Sequence, residues 1–426
     1  MAPAREELSL RCNGEPAGTL RRARGGQLSL TYLDAWRQRD DATPLSLSMP
    51  LAGREHRDRV VEPFLWGLLP DNDAVLARWA RDFQVSASHP FGLLTHVGED
   101  LPGSMQLVLP ERVAELEHTA DGAVTWLEAD EVAEALRLVR RDHTAWLANR
   151  TGGRWSLAGA QPKIALLRDG NRWGRPSGRV PTTHIVKPAI TGLDDHDLNE
   201  HLCLRAAARL GLRVAHTEVG AFADERAVIV ERYDRVARNG TWLRIHQEDM
   251  CQALGLHPSR KYQSDGGPSP IDISQLVRAV MPPEPAEAAV RGFVDALIFN
   301  WLVAGPDAHA KNYAVLLAGP QVRLAPFYDI ASALPYPDVH LPKVELAMKV
   351  GGHYLLSAIG HNAWVRLAEE LHLDPDELLA RVSELTSRVA SAFSDAASDP
   401  DVVALDSPLT NRLVDAVAAR AAGLAT

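Results

Sequence analysis

The chain has 426 residues, of which 46% are hydrophobic, enough for two or three domains each with its own core. Its formal net charge of -10 argues against unaided binding to nucleic acid, where affinity comes mainly from Lys and Arg on phosphates. Cys12, Cys203 and Cys251 are scattered without a CxxC pair, and every apolar run is too short to span a bilayer, so a disulfide framework, a zinc finger and a membrane anchor are not expected. The opening MAPAREELSL has no apolar signal core, and a reduced, cytoplasmic setting is expected. Only six of the 45 basic residues are lysines: Lys163, Lys187, Lys261, Lys311, Lys343 and Lys349. In an arginine-rich chain, lysine is the compact point charge that suits a nucleotide phosphate.

In chain order, residues 8–12, 18–22 and 28–32 alternate like short strands, with turns at Asn13-Gly14 and Gly25-Gly26. Residues 44–51, bounded by prolines, look like another strand. The stretch 63–83 reads as a helix broken near Pro70, with Asp71 as cap for the run 74–83. Residues 91–97 and 105–109 are short apolar pieces. This gives a small mixed domain over 1–110 that carries no chemical constellation and suits a structural or docking role. The acidic, Ala-rich stretch 111–150 reads as a helical connector, with apolar periodicity over 130–147.

The character changes over 151–235. A small-residue loop (151–163) leads into a strand at 164–167 and a turn at 169–171. A strand over 183–187 ends on Lys187, the helix 197–210 carries Glu200, and an apolar strand occupies 228–232. The remainder, 236–426, is mostly helical, with helices expected at 286–302, 362–371, 374–388 and 411–424 and a Gly/Pro/Ser loop at 264–270.

One stretch, 300–329, carries the chemistry. An apolar helix ends at Gly305-Pro306; Asp307, His309, Lys311 and Asn312 follow; strands at 313–317 and 322–327 flank a Gly319-Pro320 turn and deliver Asp329. Any one polar loop residue is unremarkable. An Asp, an Asn five positions on, a hairpin and a second Asp together make the set a phosphoryl-transfer site uses. One Asp takes the acceptor hydroxyl proton, and the other two side chains hold Mg2+ on the phosphates. His309 and Lys311 either contact phosphates or order the loop. Upstream, Lys187 suits α/β-phosphates with Glu200 as its partner; a strand-end Lys and a solvated helical Glu would look the same in isolation. Residues 156–163 contain Gly159 but match neither GxGxxG nor a Walker A loop. The histidines show no metal-ligand spacing, and no GxSxG elbow is present.

In order along the chain, the blocks PLSLSMPL (44–51), LLPDNDAVLAR (68–78), SLAGAQPKIALL (156–167), HIVKPAI (184–190), NEHLCLRAAARLGL (199–212), VERYDR (230–235), QEDMCQALG (247–255), KYQSDGGP (261–268), NWLVAGPDAHAKN (300–312) and LAPFYDI (324–330) resemble the HipA family of type II toxin–antitoxin serine/threonine protein kinases. The resemblance implies an α+β, bilobal, protein-kinase-like fold with an extra mixed N-terminal subdomain (1–110), a kinase N-lobe (151–235) and a mainly helical C-lobe (236–426). It implies ATP and Mg2+ as cofactors, Asp307 as the catalytic residue, and Asn312 and Asp329 as metal ligands. Lys187 takes the place of the ATP-binding lysine. Ala158, Gly159, Ala160, Gln161, Pro162 and Lys163 form the phosphate loop, and Glu231, Arg232 and Tyr233 the adenine hinge, with His309, Lys311 and Tyr328 also at the nucleotide. Ser156 sits where the family phosphorylates itself, ejects the phosphate loop and switches off. Pro162 departs from relatives that carry an acidic residue there, and should stiffen the loop. Implied partners are a HipB-like helix-turn-helix antitoxin, operator DNA through that antitoxin, a protein substrate such as glutamyl-tRNA synthetase, and a second copy of the chain within the complex. A small-molecule or lipid kinase, and a non-catalytic co-repressor scaffold, are the competing readings.

Overall fold

The computed structural model describes residues 6–118, 124–145, 155–178, 180–190 and 192–424. The first strands form an antiparallel sheet in the order Glu55–Arg57, Leu28–Tyr32, Glu15–Arg22, Glu6–Cys12, Met105–Val108. Leu8, Leu10, Leu20, Leu30 and Tyr32 turn one face inward. Asn13 and Gly14 both have positive φ (49° and 88°), the geometry of a two-residue hairpin turn that matches the strand twist. Helices Asp58–Gly67, Asp73–Phe83 and Pro90–Val97 supply Phe64, Leu65, Trp79, Phe91 and Leu94 to the same core. Trp155 and Leu157, from the start of the phosphate loop, also lie in this core.

Two local expectations change here. Residues 44–51 are turns, with one isolated bridge between Ser46 and Met49, because the segment is used to reach across to Glu248 rather than to pair. The helix after Pro70 is capped by Asn72, whose side chain accepts from Ala74 N (3.0 Å) and Val75 N (3.3 Å); Asp71 is directed elsewhere.

The second sheet runs Thr217–Phe222, Glu225–Glu231, His184–Pro188, Ile164–Asp169, Arg172–Pro176, Val124–Leu127, all neighbours antiparallel. The stretch 111–150 is therefore more than a helical connector. It contains helix Pro110–His118, the edge strand Val124–Leu127 and helix Ala129–Arg141, which buries Val132, Leu136 and Val139 against the sheet. Residues 146–154, including the first part of the loop expected at 151–163, lie outside the described residues. Helix His196–Arg209 packs on strands Thr217–Phe222 and Glu225–Glu231, and its Leu198, Leu202 and Cys203 belong to the largest core. That core is built from helices Pro270–Val280, Pro283–Leu302, His361–Glu370, Pro375–Ala397 and Pro408–Leu424. A small sheet, His246–Asp249, Ala314–Ala318, Gln321–Leu324, lies beside it.

A buried ionic network joins the first unit to the segment after strand Glu225–Glu231. Arg235 Nη2 donates to Asp100 Oδ1 (3.0 Å), Arg232 Nη2 to Asp234 Oδ2 (2.9 Å) and Leu101 O (3.0 Å), and Thr182 Oγ1 to Asp100 Oδ2 (2.6 Å). Burial raises the Asp234 pKa, but Arg232 and Arg235 outweigh it and hold the carboxyl well below the usual range.

Candidate active site

The site is assembled where helix Pro283–Leu302 gives way to the loop before strand Ala314–Ala318. Ala304 enters the left-handed region (φ 50°), the chain turns at Gly305, and Asp307 is left exposed to solvent. The hairpin Ala314–Ala318/Gln321–Leu324 returns the chain to Asp329, itself left-handed (φ 60°), a conformation Asp tolerates better than most residues. Asn312 ties the two ends together. Its Nδ2 donates to the carbonyls of Asp307 (2.9 Å) and Asp329 (3.3 Å). With the nitrogen used in this way, the carboxamide oxygen is the atom Asn312 can offer a cation.

Lys187, at the end of its strand, donates to Glu200 Oε1 (2.7 Å) and to Asp329 Oδ1 (2.9 Å). Burial lowers the Lys187 pKa, but Asp329 and Glu200 overcome it and hold the ammonium well above its ordinary value. Asp329 is pushed up by burial and pulled down further by Lys187 and Lys163, so it is a firm carboxylate. Glu200, fully enclosed and with Oε2 unpartnered among the described residues, is raised by burial more than Lys187 lowers it. Lys163 donates to Ala158 O (2.7 Å); burial, then the neighbouring Lys187, lower its pKa to about 8.

The segment expected to form the phosphate loop, 156–163, is stitched to the first unit. Ser156 is fully buried; its Oγ donates to Leu68 O (2.7 Å) and its N–H to Asp100 O (3.0 Å). Gly159 pairs with Pro70 in a parallel bridge, and Asp71 N donates to Gly159 O (3.1 Å). Gly159 has φ +105°, a backbone conformation that strains any side chain, and a Cβ there would also displace the Lys163 ammonium, 2.6 Å away.

Asp71 also reaches the catalytic loop. It accepts from Lys311 Nζ (2.8 Å) and Lys261 Nζ (3.3 Å), and Asp249 lies 3.9 Å from Lys311. Burial raises the Asp71 pKa, but Lys311 and Lys261 bring it below the usual carboxylate value. Of the two roles expected for Lys311, contact with phosphates or ordering of the loop, the geometry matches the second: the ammonium, 3% exposed, is paired with Asp71. Arg232 likewise turns its guanidinium into the buried network with Asp234 and Leu101, away from a hinge role for its side chain. Glu231 has an exposed side chain; Tyr233 and Tyr328 are ring neighbours (5.8 Å), and Tyr328 OH donates to Lys311 O (2.6 Å). His309 is buried edge-on to Tyr262 (5.0 Å), whose hydroxyl donates to Asp307 Oδ1.

Among the described residues no trio of His, Cys, Asp or Glu forms a metal cage. One Asn oxygen and one Asp carboxylate, completed by phosphate and water, is how Mg2+ is ordinarily held. Gln161 Nε2 in the phosphate loop is buried without a partner among the described residues, a donor available to a phosphate oxygen. The residues fit Mg2+ and a nucleotide.

Residues 8–108 match the model of the HipA N-terminal domain, and residues 155–393 match that of the HipA-like C-terminal domain. The chain belongs to the HipA family. A Sinorhizobium fredii protein that carries the name of a kinase, Y4mE, is 34% identical to this HipA-family chain over 97% of both sequences. The serine/threonine-protein kinase toxin HipA of Shewanella oneidensis is 28% identical over 85% of this chain and 83% of its own. A solved structure of Shewanella oneidensis HipA with HipB and operator DNA superposes with a TM-score of 0.81 at 26% identity, covering 97% of this chain and 96% of that one. The fold is the HipA kinase-like fold, mixing helices with antiparallel sheets, and the general activity these relatives share is that of a kinase.

Sequence reasoning missed Asp71, Asp249 and Tyr262. Asp71 reads as a helix cap and Tyr262 has no assigned role; their places inside the blocks LLPDNDAVLAR and KYQSDGGP are the available signal.

Proposed function

We propose that this HipA-family chain is the toxin of a type II toxin–antitoxin pair, an ATP- and Mg2+-dependent kinase of protein serine or threonine. The observation that carries the reading is the joined set Asp307, Asn312, Asp329, Lys187 and Glu200, linked by hydrogen bonds of 2.7–3.3 Å. Asn312 and Asp329 would hold Mg2+, which would supply positive charge to offset that of the triphosphate. Lys187 binds phosphate oxygens and is oriented by Glu200. The phosphate loop from Ala158 to Lys163 covers the triphosphate, and Tyr233 and the backbone of 231–233 border the adenine. Asp307 accepts the proton of the attacking hydroxyl as its oxygen bonds to the γ-phosphorus and the bond to the ADP oxygen breaks.

Ser156 is the self-phosphorylation site. A phosphate dianion has no room beside the Leu68 carbonyl, so the modified loop must leave its seat and the nucleotide site opens. A HipB-like antitoxin is the partner, with operator DNA contacted through it; the net charge of -10 and the HipB–DNA complex of the Shewanella oneidensis relative support that division of labour. No described helix is long and apolar enough to cross a membrane. The target is a cytoplasmic protein, glutamyl-tRNA synthetase being the first to assay.

The test is transfer of label from ATP, with Mg2+, to total cell protein and separately to small acceptors. Wild-type chain should label protein serine or threonine, and Asp307→Asn should lower turnover by about 10²–10⁴. Label on small molecules alone would overturn the protein-kinase reading.

A further inference from the structure

The acceptor side of Asp307 is already filled by another part of the chain. Asp307 is exposed, and the phenol of the half-buried Tyr262 donates a hydrogen bond to its Oδ1. An incoming serine hydroxyl has to make a bond of the same kind to this carboxylate. The phenol is held on a braced support. The carbonyl of Lys261 accepts from Ala310 N (3.0 Å) inside the catalytic loop, and the Tyr262 ring meets His309 edge-on at 5.0 Å. The carbonyl of Tyr262 accepts from Asp265 N and Gly267 N, both at 3.0 Å. A Cβ on Gly267 would lie 2.1 Å from Arg260 O, so only glycine lets this turn close. Gln263 Oε1 accepts from Lys349 N (2.7 Å), fixing the far side.

We propose that Tyr262 is a placeholder for the acceptor hydroxyl: its phenol occupies the proton-accepting oxygen of Asp307, keeps water from that oxygen, and yields only to the hydroxyl of a docked protein substrate. The inference rests on the reading of Asp307 as the base. The chemistry it guards against is simple. If water takes the acceptor position, its oxygen bonds to the γ-phosphorus, its proton passes to Asp307, the bond to the ADP oxygen breaks, and ATP is lost as ADP and phosphate. A serine hydroxyl replaces the phenol with little net change, because one charge-assisted hydrogen bond is exchanged for another. Water makes the same bond, but it must first displace a donor that is pre-positioned by the turn.

Tyr262 does not itself become the acceptor. Transfer requires the attacking oxygen to advance on phosphorus, and the turn that carries Tyr262 is pinned at Ala310, Gly267 and Lys349. Burial and the Asp307 carboxylate both raise the phenol pKa, so the group stays a proton donor.

The experiment uses the full chain with ATP and Mg2+ and no added substrate. ADP released is measured against phosphate incorporated into protein, the latter by intact mass, so the ratio is independent of the active fraction. Tyr262→Phe is expected to raise the excess of ADP over incorporated phosphate about tenfold, the range of one hydrogen bond to a charged group. Adding Asp307→Asn to Tyr262→Phe should remove the rise, which ties the excess to that carboxylate, and thermal melting of Tyr262→Phe close to that of wild type separates the effect from a loosened fold. An unchanged or lower excess in Tyr262→Phe overturns the inference, as does phosphate on Tyr262 of the wild-type chain. If wild-type chain labels no protein at all, including total cell protein, the kinase reading falls and this inference with it; the two failures are therefore distinct.

Discussion

Asp71→Asn removes the carboxylate charge that Lys311 and Lys261 share at 2.8 and 3.3 Å, yet leaves the backbone N–H of residue 71 on Gly159 O. The substitution separates the ionic clamp on the catalytic loop from the backbone stitch on the phosphate loop. Side-chain exposure is 9% at Asp71 and 3% at Lys311, so solvent cannot replace the lost partner. Breaking a buried pair by removing one member costs about 3–5 kcal/mol. Lys311 retains the Asp249 carboxylate at 3.9 Å, which places the expected loss near the lower end, about 3 kcal/mol. Urea unfolding of wild type, Asp71→Asn, Lys311→Met and the double variant forms the assay. The double variant should lose much less than the two singles together, with a coupling of about 2 kcal/mol, because it leaves no orphaned charge between these partners. The effect should change little between low and high salt, since a buried pair is weakly screened. A loss below about 0.5 kcal/mol, or additive singles, would refute the clamp.

Lys187→Met should reduce phosphoryl transfer by about 10²-fold or more, since a preorganised positive charge is lost and Glu200 and Asp329 are left facing each other; steady-state turnover at saturating ATP is the measurement. Ser156→Ala should abolish self-phosphorylation, read by mass spectrometry of the intact chain, and cost about 1 kcal/mol in thermal melting from the lost bond to Leu68 O. Glu248 is fully buried and its pKa is raised from 4.5 to about 8 by burial, although Ser46 Oγ and Leu47 N donate to it. The native state therefore binds the extra proton between pH 4.5 and 8, and wild-type stability falls as pH rises through that window. Glu248→Gln has no charge to develop, so its stability relative to wild type should grow from pH 4.5 to 8 by on the order of 4 kcal/mol and then level off; melting at several pH values checks it.

Much of the architecture was legible because it depends on local rules. The turn at Asn13-Gly14, the Lys187 strand followed by the Glu200 helix, and the hairpin that returns Asp329 to Asn312 all follow from periodicity and turn chemistry. What was not legible depends on distance along the chain. Asp71 looks like a helix cap in its own neighbourhood, but Asn72 takes that role and Asp71 pairs with Lys311, 240 residues away. Residues 44–51 have the alternation of a strand, yet Ser46 and Leu47 spend their donors on Glu248, so no ladder forms. Strand Val124–Leu127 is a short piece in a helix-rich stretch, and only the neighbouring Arg172–Pro176 edge makes it a strand. Arg232 and Lys311 share the same lesson: where a basic side chain within a motif turns depends on carboxylates far away or out of register, Asp234 for Arg232 and Asp71 for Lys311, which the motif alone does not reveal.

Trp155 and Leu157 are core residues of the N-terminal unit, although the segment they begin leads into strand Ile164–Asp169 of the second sheet. The matched segments 8–108 and 155–393 are thus separable on paper but not in mechanics. A fragment beginning at residue 155 would carry every side chain of the proposed site and still leave segment 156–163 without its bonds to Leu68–Asp71 and to the Asp100 carbonyl. Exchanging N-terminal units between relatives would succeed only where residues 68–71 and 100–103 travel with a compatible 155–163, so these three short stretches are expected to vary together as one inherited part.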